Sequence, residues 1–239
     1  MALQQINYDP ALRAGAANTV ALPQTITDAT NGSFAVGANG ATNPAFNIDD
    51  SASSAATGLN IAATATGTPL ALTVIGSGTD EGMTLAPKGA GTIKVSGQIR
   101  PVVSGSGATV TLTKDKFGSV VLFDRAAGIT FTLPANTPGA WIDFFVTVTI
   151  TSNNAKVITA AGTELLVGSV TNAATDNSNA VTIWPSLVAT GNVAVTMNGS
   201  TKGGIKGDWV RFTCLNSTTW GVQGMTTGTG TIASPFATS

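Results

Sequence analysis

Between residues 34 and 95 the chain repeats one short phrase, two apolar residues at positions i and i+2 followed by turn formers. The phrases are Phe34/Val36, Phe46/Ile48, Leu59/Ile61, Leu70/Leu72/Val74, Met83/Leu85 and Ile93/Val95, and their first members lie 12, 13, 11, 13 and 10 residues apart. Residues at i and i+2 share one face of an extended strand, and segments such as VGANGATNP and VIGSGTDEG supply the turns. The spacing predicts a repeat of very short strands. Such strands are too short to build a core within one chain, and they leave sheet edges open to aggregation. Identical chains wound together would bury both, so residues 31–98 are expected to be a trimerising repeat, an intertwined trimeric β fibre or β-prism. The competing reading, a disordered Gly/Ser/Thr-rich segment, is opposed by the regular apolar pairs.

From residue 99 to 228 the strands lengthen. Candidates are 108–113, 119–124, 128–134, 141–151, 155–162, 180–184, 192–197, 208–215 and 219–224. The longest alternates, with Ile142, Phe144, Val146, Val148 and Ile150 on one face and Asp143, Thr147, Thr149 and Thr151 on the other, the mark of a sheet with one buried and one wet face. The last two strands, separated by Asn216, Ser217 and Thr218, read as a hairpin. Nine short strands without a long amphipathic helix predict an antiparallel β-sandwich or jelly-roll. Residues 1–30 are set apart as an arm, where Asp9 can cap a short helix, Pro10 suits its first position and Gly15 can end it. Residues 229–239 read as a low-complexity tail, ordered on contact with something else. The fold expected is therefore all-β: arm, short-strand repeat, sandwich, tail.

Composition narrows the chemistry. Only 10% of the 239 residues are charged, against about 25% in ordinary domains, and there is no histidine and one cysteine, Cys214. Histidine-based triads, histidine-bound metals and histidine pH switches are excluded, as are an intrachain disulfide and a cysteine zinc site. Eleven basic and twelve acidic residues make no basic surface for nucleic acid. The stretches Ser51–Thr79 and Asn177–Thr201 lack charge, but they are rich in Gly, Thr, Ser and Asn and contain proline, so neither reads as a membrane span. The opening MALQQINYDP lacks the basic and apolar regions of a secretory signal, so export by that route is not expected.

The remaining candidate sites each have a plainer explanation. Asp49/Asp50 and Asp80/Glu81 are paired carboxylates, but adjacent residues in a turn do not give the separation across a sugar bond that glycoside hydrolysis needs. Hydrogen bonds from Asp49 and Asp80 to turn backbone are the expected role, and the EF-hand pattern is absent. Lys88 stands between Pro87 and Gly89 with Gly91 following, but Ile93 and Val95 lead into a strand rather than a helix, so this is no phosphate loop; a turn whose lysine guards a strand edge is expected. Trp141, Trp184, Trp209 and Trp220 are candidates for sugar stacking or interface anchoring, with core packing or a subunit contact favoured. No catalytic, cofactor or metal residue is assigned, and no enzyme activity is expected.

The run DEGMTLAPKGAGTIKVSG (80–97) resembles a segment of tailed-bacteriophage virion proteins. FAVGANGATNPAFNIDDSASSAATGLNI (34–61), GITFTLPANTPG (128–139), VITAAGTELLVGSV (157–170) and GDWVRFTCLNSTTWGV (207–222) are similar to the same group. The resemblance covers most of residues 34–224. It implies a virion structural protein, a homotrimeric capsid decoration (cement) or head-fibre protein on the outer surface of the head, with the major capsid protein as partner and no cofactor, membrane or nucleic acid. The alternative it leaves open is a tail-fibre or receptor-binding protein recognising a host glycan.

Overall fold

The structure, a computed structural model, describes residues 34–36, 46–48, 57–62, 65–105, 107–175 and 181–239. The chain divides into two compact units, Met1–Lys94 and Val95–Ser239. The described residues are all-β, with two single-turn 3₁₀ segments and no α-helix. The arm's Asp9, Pro10 and Gly15 lie outside the described residues.

In the first unit the apolar phrases join two by two. Strands β1 (Phe34–Val36) and β2 (Phe46–Ile48) pair antiparallel, with Phe34 opposite Ile48 and Val36 opposite Phe46. Strands β3 (Thr57–Ala62) and β4 (Ala71–Gly76) repeat the arrangement, with Leu59 opposite Val74 and Ile61 opposite Leu72. Opposed residues of an antiparallel pair share a face, so the second sheet has one aliphatic face and one of small or polar residues, Gly58, Asn60, Ala62, Ala71 and Thr73, joined by Ile75. The pairs Met83/Leu85 and Ile93/Val95, expected as strands, form none, and residues 81–96 meet no ladder partner among the described residues.

The second unit packs two sheets around one core. The chain first alternates between them: β5 (Val102–Ser104), β7 (Val120–Phe123) and β9 (Trp141–Val146) go to one sheet, β6 (Thr109–Thr111), β8 (Thr130–Thr132) and β10 (Ala155–Ile158) to the other. Each strand pairs parallel with the one two places on, so Val102, Val120 and Asp143 stand side by side, as do Thr109, Thr130 and Lys156. Then come β11 (Leu165–Ala174), β12 (Thr182–Ser186), β13 (Ala194–Met197), β14 (Trp209–Asn216), β15 (Thr219–Gly228) and β16 (Phe236–Ala237). The sheet orders are β12-β11-β15-β14-β9-β7-β5 and β16-β13-β10-β8-β6.

The expected antiparallel β-sandwich or jelly-roll is thus corrected to two mixed sheets. A chain that crosses to the opposite sheet after each strand re-enters the first sheet in its original direction, which makes neighbouring strands parallel. The antiparallel β14–β15 hairpin does form, its loop fixed by the Asn216 side-chain oxygen accepting from Thr218 N–H at 2.9 Å. The expected tail instead supplies β16, which pairs with β13 and buries Phe236.

Inward-facing residues form rows across the sheets. Val103, Val121, Phe144, Val210, Gly224, Val170 and Trp184 make one row of the larger sheet, and Val110, Phe131, Val157, Val195 and Phe236 face them from the smaller. The rings of Phe123 and Phe131 meet edge to face across the layers at 5.1 Å, and Phe131 meets Phe144 at 5.6 Å. The alternation of residues 142–150 holds for Ile142, Phe144, Val146 and Ile150, which are buried, and breaks at exposed Val148, where the strand has ended.

Candidate functional site

The two outer faces of the second unit differ in chemistry. The smaller sheet presents Thr109, Thr130 and Lys156 in one row and Thr111, Thr132 and Ile158 in the next, a mostly uncharged polar surface. On the larger sheet one row runs Leu122, Phe145, Trp209, Met225, Thr171 and Ile183, so apolar side chains follow one another from β7 to β12. The Phe145 and Trp209 rings stack with centroids 6.4 Å apart, and Met225 and Ile183 are exposed.

The next row contains the charged centre of this face. Asp143 on β9 is 3% exposed, though it occupies the side of the strand expected to be wet. Arg211, directly opposite on β14, donates through Nε at 2.5 Å and Nη2 at 2.7 Å. Arg100, just ahead of β5, donates Nη1 to Asp143 at 2.6 Å, Nε to the Gly118 carbonyl at 2.7 Å and Nη2 to the Ser119 carbonyl at 2.6 Å. Burial pushes the Asp143 carboxyl up, but the bonds from Arg211 and Arg100 outweigh it and hold the group below the ordinary carboxylate range. Both guanidiniums also lie against the Trp141 ring, at 4.2 Å for Arg100 and 4.9 Å for Arg211, within cation–π range. Beside them a groove of about 370 Å³ runs over Gly168 and Gly221, with Val167, Thr213, Leu215 and Gln223 around it.

The tryptophans separate by environment. Trp220 is fully buried and donates its indole N–H to Asn136 at 2.8 Å. Trp184 closes the inward row at β12 and packs on the core. Trp141 has guanidiniums on its ring, and Trp209, partly exposed on the outer row, stacks instead on Phe145. Asp49 and Asp50 lie outside the described residues. In the 77–81 turn Glu81, rather than Asp80, accepts the backbone bond, from Gly78 N–H at 2.8 Å. Lys88 lies in an exposed turn closed by Gly91 N–H on the Lys88 carbonyl at 3.2 Å, with no strand edge formed beside it.

Two further ionisable groups are tied into the fold. Asp208 is buried, and burial raises its carboxyl although Thr227, Ile205 and Gly204 donate backbone N–H to it at 2.8, 3.1 and 2.8 Å. Cys214 is buried, and burial pushes its thiol up, away from the reactive thiolate. Among the described residues no three Cys, Asp or Glu side chains converge as metal ligands would. What this face offers is contact: an apolar row, a groove floored by glycine, and one half-exposed guanidinium.

The sequence reading singled out the tryptophans and passed over Arg100, Asp143 and Arg211. A signal was present, because Asp143 is the lone charge in WIDFFV and Arg211 the lone charge in WVRFTCL, and a single charge in a buried strand needs a partner. Comparison with family models, with curated proteins and with solved structures returns no match for this chain.

Proposed function

We propose that this chain is a homotrimeric structural protein of a bacteriophage particle, a capsid decoration (cement) or head-fibre protein carried on the outer surface of the head, with the major capsid protein as its partner. The observation that carries this reading is the aliphatic face of β3 and β4, left uncovered within a chain that bears no charge from Ser51 to Thr79. An uncharged β segment with its apolar side chains outward suits permanent assembly rather than free diffusion. The second unit adds the domain to be projected, and its Arg100, Asp143, Arg211 and Asp208 are engaged in holding the fold. A cement protein stabilises a shell by binding the assembled lattice more tightly than its free subunits.

The glycan-recognising tail-fibre alternative draws on exposed aromatic platforms. Trp220 is in the core, Trp184 packs its partly buried ring against the core, and Trp141 carries two guanidiniums, so that reading rests chiefly on Trp209. Gold labelling and electron microscopy of intact virions test the choice. Many copies over the head are expected; labelling confined to the tail tip, or absence from purified heads, overturns the proposal.

A further inference from the structure

The six apolar phrases fall into three successive couples at nearly constant spacing, beginning at residues 34, 59 and 83, 25 and 24 residues apart. In the first two cases a ladder sets one pair against the next, Phe34 and Val36 against Ile48 and Phe46, then Leu59 and Ile61 against Val74 and Leu72. In the third, Met83 and Leu85 are followed by Ile93 and Val95 across a turn at residues 88–91, and a ladder continued from that turn would set Leu85 opposite Lys94 and Ile93 opposite Ala86. Gly89 has φ +59°, and the turn is closed by Gly91 N–H on the Lys88 carbonyl. The turn of a hairpin is therefore present, yet residues 81–96 form no strand, and Leu85 and Ile93 are exposed. A two-stranded sheet is marginal in water by itself, and Met83, Leu85, Ile93 and Val95 of these two halves are all exposed.

The nature of that surface follows from three observations. On β3 and β4, Leu59, Ile61 and Leu72 are 55, 58 and 54% exposed on one face. The absence of charge from Ser51 to Thr79 gives an oppositely charged partner nothing to meet and sets no repulsion between like copies. The area also fits. Leaving out Ile75, which is on the other face of its sheet, seven exposed large apolar side chains lie in the described part of this unit, and at roughly 60 Å² each they offer about 420 Å² of apolar surface. At about 65% apolar content that corresponds to about 650 Å² per chain, within the share of about 600–1,000 Å² that each partner gives to a standard interface. A face repeated in tandem along one chain is matched phrase for phrase by the same face of a copy.

We infer that the apolar phrases from Leu59 to Val95 form the self-association surface of this chain, that further copies of the chain occupy it, and that residues 83–95 complete a hairpin ladder only when the copies come together. The inference rests on the trimeric reading above and adds its contact residues and a segment that folds on assembly.

Sedimentation and amide hydrogen exchange on the purified full chain test it. The wild type is expected to sediment as a trimer at micromolar concentration, with amides of 83–95 protected. The Leu59→Asp/Ile61→Asp chain is expected to sediment as a monomer and to exchange at 83–95 about tenfold faster or more. A milder Leu85→Ser/Ile93→Ser chain is expected to show weakened association. In all three the unfolding transition reported by buried Trp220 should be retained, which separates lost assembly from lost folding. A monomeric wild type, a trimer indifferent to these substitutions, or equal protection of 83–95 in monomer and trimer overturns the inference. A trimer with assembly-dependent protection that is absent from phage heads sustains it while removing the proposed function. A monomer that decorates heads does the reverse, with the shell as the occupant of the apolar face.

Discussion

Arg211 and Asp143 stand directly opposite each other on adjacent strands, and the guanidinium meets both carboxylate oxygens, at 2.5 and 2.7 Å. The two-point geometry fixes both side chains, and Arg100 takes a further bond to the same carboxylate. Asp143→Ala leaves two guanidiniums without their common partner and is expected to cost about 3–5 kcal/mol. Arg211→Ala leaves Asp143 still held by Arg100 and is expected to cost about 1–3 kcal/mol. Denaturant unfolding followed by tryptophan fluorescence measures both, and an Asp143→Ala variant as stable as wild type would contradict the central place given to this carboxylate.

Gly168 lies inside β11 with φ +125°, and a Cβ there would sit 2.1 Å from the Val222 carbonyl oxygen of β15. Gly168→Ala combines backbone strain of about 1–3 kcal/mol with displacement of the β11–β15 ladder, so a loss above about 3 kcal/mol is expected. Gly162, at φ +65° in open space, isolates the conformational part. Gly162→Ala should cost only about 1–2 kcal/mol. Thermal unfolding of the two variants side by side makes the comparison.

Trp220 and Trp209 should respond differently to truncation. Trp220→Ala empties a fully buried site and strands Asn136, at an expected cost of about 3–5 kcal/mol. Trp209→Ala removes a half-exposed ring and its stack on Phe145, at about 0.5–1.5 kcal/mol. Equal losses in denaturant unfolding would show that Trp209 belongs to the core after all.

Asp208 and Asp143 shape the acid response in opposite senses. The folded-state carboxyl of Asp208 is raised by burial, so folding favours its protonated form, and stability rises as pH falls from neutral through the raised value. Asp143 is held below the ordinary range by its arginines despite burial. Its contribution is complete above the unfolded value of about 3.9 and is lost as pH falls through the lower folded value. From these two groups, the melting temperature is expected to climb on mild acidification and to fall below about pH 4. Asp208→Asn should flatten the climb and leave the fall; a variant that retains the climb would reassign it to another group.

Strand existence was legible because alternation reports burial directly. WIDFFV, SVVLFD and DWVRFTCL each contain a strand where period-two apolar positions place it. The ten-residue β11 escaped notice because Gly168, Ser169 and Asn172 interrupt its apolar pattern, and β5 because three residues carry too little periodicity. Pairing direction was legible only where a short loop joins two strands, as in the β14–β15 hairpin. Period-two alternation looks the same in parallel and antiparallel strands, and only the crossing of the chain between layers decides between them. For the charged cluster, the lone Asp143 and lone Arg211 declared that partners exist. Arg100 did not, since a basic residue beside Pro101 looks like an ordinary exposed charge until its three bonds are seen.

Those three bonds place Arg100 where a pull along the chain from its N-terminal side arrives. The first strand such a tension reaches is β5, three residues long and at the margin of its sheet, a strand that by itself would peel away under little force. Arg100 comes before it and is fastened to the carbonyls of Gly118 and Ser119 and to Asp143 of β9, a strand with neighbours on both sides. A load on the chain would pass through these bonds to the interior of the sheet rather than to its hem, which would make a single side chain the strain relief of the domain, as a clamp is where a cable enters its housing.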